Sequence, residues 1–442
     1  MGHLFDPGAE FLYSQRAVYF LYSSFLLLAL ILYAPFYWIK VRFVKKDKLR
    51  LRQRLGRGLT PRASSRPAVW IHAVSVGEVL SLQHLIREIK KKHPGWEIAF
   101  SSLTGTGLHQ AREKLKEADP VFFVPIDLPG PVRRVLDRLK PDILVLAESE
   151  LWPNLLREAR RRTKGILLIN GRISERTYKR YLRFKPLSRR VLGSVDRFLV
   201  QTDQDRDRIV GIGIDPALVE VAGNLKTEVH LPLLDGRDRV NLKKSLSLAP
   251  ARKVVLAGST RKGEEDRLLK AFAEAGRAGG ETALIVAPRH PERAGEVERI
   301  AASLSLACVR RTLVKPGDKW DVLVLDTIGE LAGFYALCDA AFVGGSLVDW
   351  GGHNFLEPAF YGKPIFFGPR MRNFAALAEA FLKEGAARVV ADDEGLIRMF
   401  QLEDEGSLRE MGRKAAALLS SMSGATERTI QAIEKMMEGR SR

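Results

Sequence analysis

Cysteine is nearly absent: Cys308 and Cys338 are the only two in 442 residues. A disulfide framework is therefore excluded, and a reducing compartment is expected for the bulk of the chain. The pair has no metal or redox spacing, and His72, His290 and His353 are too scattered to form a zinc site. Acidic residues are the second deficit. Asp and Glu number 52 against 71 Lys and Arg, leaving a net charge of +19 and a pI of about 9.9. Such a balance suits nucleic acid, an anionic membrane surface or an anionic substrate. No helix-turn-helix, zinc-finger or RNA-recognition signature occurs, so nucleic acid is not an expected partner. Short tandem repeats are also missing, which argues against a solenoid.

What is present begins with an uncharged run from Ala17 to Ile39. As a helix it would be about 34 Å long, enough to cross a bilayer core of about 30 Å. Tyr33, Tyr37 and Trp38 lie near one end, as interfacial aromatics do, and Pro35 can kink it. A Lys- and Arg-rich block, Lys40 to Arg54, follows with Asp47 as its one acid. The flank before the run has Arg16 as its firm positive charge. The positive-inside bias therefore predicts a single-pass anchor, with the rest of the chain on the cytoplasmic side. The run is too long for the apolar region of a cleaved signal peptide. Val41, Val44, Leu49, Leu51 and Leu55 lie among the cations, which also suits an anionic membrane surface.

From Ala68 onward, short apolar runs alternate with amphipathic stretches. In the first half the runs are Val69–Ala73, Ile98–Ser101, Val121–Val124, Ile143–Ala147, Ile166–Ile169, Phe198–Gln201 and Val219–Ala222. After the polar stretch Asp235–Arg239 come Val254–Ala257, Ala283–Ala287, Val322–Leu325, Ala340–Val343 and Pro364–Phe367. This predicts an α/β fold of two doubly wound parallel sheets. The expected division is an anchor over 1–40, one domain over 41–232 and a second over 233–442. Ser407–Met437 reads as one or two amphipathic helices that can pack back toward the joint. Open α/β sheets bind ligands at the carboxyl ends of their strands. The polar clusters here all follow apolar runs, so they point to one interdomain cleft.

Gly344–Pro358 is the densest of these clusters. Two Gly pairs let backbone approach a ligand, Asn354 suits an N-cap, and the helix it would start offers N–H groups to an anion. Glu357 can grip paired hydroxyls. Phosphate beside a sugar diol is the outline of a nucleotide. Ser75-Val76-Gly77-Glu78 opens a helix, where Glu78 fits either a capping box or acid–base chemistry. Glu148-Ser149-Glu150-Leu151-Trp152-Pro153-Asn154 puts two carboxylates before a helix, with Pro153 suited to its first turn; the residues alone do not choose between Glu78 and Glu150 as a base. Asn170-Gly171-Arg172 and Gly223-Asn224-Leu225-Lys226 add two cations at strand ends. Gly258-Ser259-Thr260-Arg261 can cradle phosphate, Pro288-Arg289-His290-Pro291 holds Arg289 rigidly for one, and Thr327–Leu331 opens a helix whose amides can meet base or phosphate. Asp203-Gln204-Asp205 has metal-like spacing but reads as a helix cap.

In their order along the chain, Ser75–Glu78, Glu148–Asn154, Gly223–Lys226, Pro288–Pro291, Gly329–Leu331 and Gly344–Val348 with Gly351–Asn354 resemble the 3-deoxy-D-manno-octulosonic acid (Kdo) transferases of lipopolysaccharide assembly. The resemblance runs from the anchor to the C-terminal helices. It implies a GT-B glycosyltransferase of two Rossmann-like domains that moves Kdo from CMP-Kdo to a lipid A precursor, with inversion and without a catalytic metal or other cofactor. It also implies Glu78 as general base and Glu148 and Lys226 as transition-state stabilisers. The CMP-binding segments it implies are Pro288 and Arg289, then Ile328, Gly329 and Glu330, then Asn354, Phe355, Leu356 and Glu357. Phe355 departs from the family pattern, which a backbone contact would tolerate. A second basic run, Arg172, Arg176, Lys179, Arg180, Arg183 and Lys185, is then expected to meet the acceptor's phosphates. Two rival readings fit the same residues. One is a lipid-linked sugar transferase with a UDP donor. The other is a membrane-tethered binding protein without turnover.

Overall fold

Ala68–Ala73, β1, is buried at every residue, as a parallel strand covered on both faces must be. The same holds for β4 (Ile143–Ala147) and β5 (Gly165–Gly171). With β2 (Glu97–Ser102), β3 (Val121–Phe123), β6 (Arg197–Val200) and β7 (Val219–Val221) they form a seven-stranded sheet in the order β3-β2-β1-β4-β5-β6-β7. Each neighbouring pair is parallel. The second sheet holds β8 (Lys253–Thr260), β9 (Thr282–Pro288), β10 (Cys308–Arg310), β11 (Val322–Val324), β12 (Ala340–Val343), β13 (Ile365–Phe367) and β14 (Arg388–Val389). Its order is β10-β11-β9-β8-β12-β13-β14, again all parallel. The computed structural model describes residues 18–35, 51–148, 151–229, 231–232, 235–277, 282–402 and 404–439.

Strand order reverses between β1 and β4 in the first sheet and between β8 and β12 in the second. Loops leaving neighbouring strands diverge there, which opens a crevice at the carboxyl edge. The alternation of facing side chains builds two apolar layers per sheet. Val69 and Ile71 pack under the helix Val76–Lys92, and Trp70 packs on the opposite face with Leu155 and Leu156.

The chain divides into two compact units, Met1–Glu228 with Ser423–Arg442, and Val229–Met422. This differs from the expected domains of 41–232 and 233–442. The polar stretch Asp235–Arg239 is the capped start of the helix Gly236–Ser245, with a reciprocal Asp235–Asp238 capping box. The C-terminal helix Ala425–Glu438 belongs to the first unit. Glu228 accepts from the amides of Gly424 at 2.6 Å and Thr426 at 3.0 Å, anchoring its first turn. Ile430 and Ile433 of that helix then join the first core.

The helix Val18–Pro35 is long and apolar enough to cross a membrane, with a mean hydropathy of 1.9. Phe20, Phe25 and Leu32 are each at least 70% exposed, as lipid-facing side chains would be. Tyr19 lies under the Arg157 guanidinium at 4.7 Å. The ends of the expected span, the basic residues Lys40 to Arg50, and Ser149 and Glu150 lie outside the described residues.

Candidate functional site

In the first unit, β1 ends at Ala73 and Ser75 caps the next helix by accepting from the Glu78 amide at 3.3 Å. The Glu78 carboxylate reaches back, accepting from the Val74 amide at 2.8 Å and the Ser75 hydroxyl at 2.7 Å. It is nearly buried, at 7% exposure. The capping geometry and a carboxylate held at the strand's end therefore coexist in one residue. Its remaining lone pairs are its only means of taking a proton from a bound hydroxyl.

Glu148 follows β4 at φ 60°, a left-handed backbone that side chains seldom adopt outside functional loops. Lys226 donates to its carboxylate at 2.5 Å. Asn170, at the end of β5, also has a left-handed backbone, φ 53°. Its side-chain oxygen accepts from the Leu225 amide at 3.0 Å, and Asn224 accepts from the Lys226 amide at 2.9 Å. Two asparagines thus seat the single turn Leu225–Thr227 that carries Lys226 to Glu148. Sequence reasoning favoured Arg172 in this loop; Arg172 is exposed, and Asn170 is the residue that organises it. The available signal was that Asn, at a strand's end, tolerates the left-handed region.

His72 is fully buried on β1, with Nδ1 2.9 Å from the Ser101 hydroxyl. Burial pulls its pKa down to about 4, so it is neutral at pH 7. The Trp152 ring meets it edge-on, with centroids 5.8 Å apart. Asp203 is not the cap of its helix: Thr202 is, and Asp205 accepts from the Ile173 amide at 2.9 Å.

The second unit gathers cations. Arg261 follows β8; its guanidinium donates to His353 at 3.1 Å, lies 3.1 Å from His290 and covers the Trp350 ring at 4.2 Å. Arg289 follows β9, and its amide donates to the Thr260 carbonyl at 3.0 Å. Burial, with Arg261 and Arg289 nearby, pulls the His353 pKa down to about 4. Positive charge here exceeds negative, as a site awaiting an anion requires. The Glu357 carboxylate has no hydrogen-bond or ion-pair partner among the described residues, and burial raises its pKa. A half-buried acceptor of this kind suits hydroxyl donors.

Several expectations need correction. The helix after the Gly-rich segment is one turn, Leu356–Phe360, capped at Phe355. Asn354 instead accepts from the Leu356 amide at 3.1 Å. Phe355 is fully buried against Phe367, Phe374 and Phe381, with centroids 5.0–6.1 Å apart. Only its backbone is available to a ligand. The helix after Thr327 starts at Leu331, not at Thr327. Before it, Ile328 is 90% exposed, Gly329 takes φ 93°, and Glu330 accepts from Thr327 and pairs with Arg311 at 3.4 Å. Pro288 and Leu356 are buried beside these loops.

Residues 49–229 match the family model described as 3-deoxy-D-manno-octulosonic-acid transferase. A 3-deoxy-D-manno-octulosonic acid transferase of Bordetella pertussis is 34% identical over 83% of this chain and 86% of its own length. The chain belongs to the Kdo transferase family. As a member of that family it is a glycosyltransferase. A bifunctional glycosyltransferase/methyltransferase of Fusobacterium nucleatum is 32% identical over 87% of the chain, which spans 59% of that longer protein. Among solved structures, the UDP-GlcNAc 2-epimerase of Neisseria meningitidis aligns with 83% of this chain and all of its own, with a TM-score of 0.54 and 12% identity. That likeness bears on fold alone, and it agrees with the GT-B arrangement of two Rossmann-like units in this Kdo transferase.

Proposed function

We propose that this protein is a membrane-anchored, inverting transferase that moves Kdo from CMP-Kdo to a lipid A precursor of the lipid IVA type. Membership of the family carries the reading, and the geometry of each unit supports the roles. Glu78 takes the proton of the acceptor hydroxyl, the oxygen attacks the anomeric carbon, and the bond from that carbon to the CMP phosphate breaks. Attack opposite the leaving group inverts the centre. Glu148 and Lys226 stabilise the charges that develop, as a preorganised pair can. In the second unit, Arg289 and Arg261 meet the departing phosphate, and Glu357 takes ribose hydroxyls. Segments 328–330 and 354–356 contribute backbone, with Glu330 held by Thr327 and Arg311. The arginines bring the positive charge that a metal would otherwise supply, so the proposed reaction uses none.

The helix Val18–Pro35 serves as the anchor in the bacterial inner membrane, with the two units on the cytoplasmic side. The helix Glu175–Arg183 has no buried residue. Exposed Leu182, Phe184 and Leu187 stand among Arg176, Lys179, Arg180, Arg183 and Lys185. Cations mixed with apolar side chains suit phosphates at a lipid surface.

The test is incubation with CMP-Kdo and lipid IVA, then mass analysis of the lipid. Addition of one or more Kdo masses is expected. Transfer from UDP-sugars with none from CMP-Kdo would refute the donor, and no transfer from any donor would refute the proposal.

A further inference from the structure

Gly345, Ser346 and Leu347 present three successive amides just after β12, at the point where the second sheet's order reverses. Such a row is built to hold an anion. It already holds one. The fully buried Glu264 accepts from Gly345 at 2.6 Å through Oε2, and from Ser346 at 2.9 Å and Leu347 at 2.8 Å through Oε1. Oε2 also accepts from the Arg261 amide at 2.9 Å. A carboxylate has about four lone-pair sites, and here four donors use them. All four donors are backbone groups, so Glu264 sets the course of two loops and touches no neighbouring side chain through these bonds. One oxygen ties the loop after β8 to the loop after β12. From that junction the Arg261 side chain extends to His353 and Trp350.

We propose that Glu264 is a positioning residue for the donor phosphate: an internal carboxylate fills the Gly-rich cradle and thereby fixes Arg261 as a phosphate ligand. The proposal rests on the reading of this unit as the CMP-Kdo site. It departs from the sequence expectation that ligand would use the Gly-rich backbone. The phosphate meets guanidinium groups, while the Gly345–Leu347 amides stay internal.

Glu264→Gln separates these possibilities. Its amide oxygen can still serve Ser346 and Leu347, but its NH₂ then faces the amides of Arg261 and Gly345, donor against donor. The bridge between the loops is lost and the loops themselves are not shortened. CMP binding is measured by calorimetry on the full-length protein in detergent, for the parent, Glu264→Gln, Arg261→Ala and the double variant. Each single change is expected to weaken CMP about tenfold or more. The double variant should bind within about twofold of Arg261→Ala, because residues acting through one another are not additive. In turnover assays the donor KM should rise while the acceptor KM stays constant. Parent-like CMP affinity in Glu264→Gln overturns the proposal, as do losses that multiply in the double variant. Should Glu264→Gln fail to fold, Glu264→Asp keeps the charge but not the reach, and the same outcomes decide. If the parent ignores CMP and binds UDP, the donor reading fails by itself, and the same cycle read with UDP still tests Glu264.

Discussion

After β4 of the first sheet, Glu148 meets Lys226 in an ion pair; after β8 of the second, the Arg261 guanidinium meets two histidines and an indole ring. Both loops occupy the carboxyl edge at a reversal of strand order, and both sheets have seven parallel strands. The setting at the reversal is therefore alike, although β11 is inserted between β10 and β9 in the second sheet, and charge is what differs. At the first edge Lys226 neutralises Glu148, and Glu78 is held by local bonds to Val74 and Ser75. The second has Glu264 hidden beneath the loops on backbone donors, while Arg261 and Arg289 have no carboxylate partner among the described residues. A balanced pair suits charges that appear and vanish during a reaction. An unbalanced cluster suits an anion that arrives already charged.

The contrast can be broken most severely at Glu78. On the proposed roles, Glu78→Gln should lower turnover by about a hundredfold or more and leave CMP binding intact. Turnover and calorimetry on one preparation check this, and near-normal transfer would refute the base assignment. Lys226→Ala comes next. It should lower kcat by about tenfold to a hundredfold, below the loss of a strong oxyanion donor because this pair is partly exposed. Melting should change little, since partly exposed ion pairs contribute about 0–1 kcal/mol. An effect confined to donor KM would move Lys226 into the binding machinery. Arg289→Ala should do the reverse, raising donor KM about tenfold with a smaller change in kcat. A pure kcat effect would erase the distinction between the two edges.

The smallest effect concerns acid. Folded His353 and His72 each titrate at about 4 against 6.5 for the free side chain. The unfolded chain therefore binds protons first as pH falls, so stability declines from about pH 6.5 toward pH 4 and is full above that window. CMP phosphate near Arg261 should make His353 easier to protonate, without touching His72. Bound CMP should then raise the melting temperature more at pH 5 than at pH 7. His353→Gln should remove that extra protection. Equal protection at both pH values would place the phosphate away from His353.

Much of the fold was legible because burial on both faces writes continuous apolar runs into parallel strands. Twelve of the fourteen strands fall on such runs. The missed ones, β10 and β14, lie at sheet edges and have only three and two residues. Their pattern is too short to show a period. The loops bearing Glu78, Glu148, Lys226, Arg289 and Glu357 were legible as polar clusters following strands. That the Phe355 side chain belongs to the core was not legible, since its aromatic partners Phe367, Phe374 and Phe381 come later in the chain. Asp235–Arg239 was legible only as a polar stretch near a domain boundary because a capping box and a polar turn share the same residue types.

Sequence by itself determined twelve of the fourteen strands, the apolar N-terminal helix, the family and the positions of the chemistry-bearing loops. Each of these depends on residues close together along the chain, where spacing and residue type carry the signal. Only the tertiary structure decided that Asn170 seats Lys226 and that Ser423–Arg442 returns to the first unit. It alone placed Glu264 on the amides of a loop more than 80 residues away. A buried carboxylate is stable only where donors converge on it, and that convergence is created by packing two loops side by side at a sheet's edge.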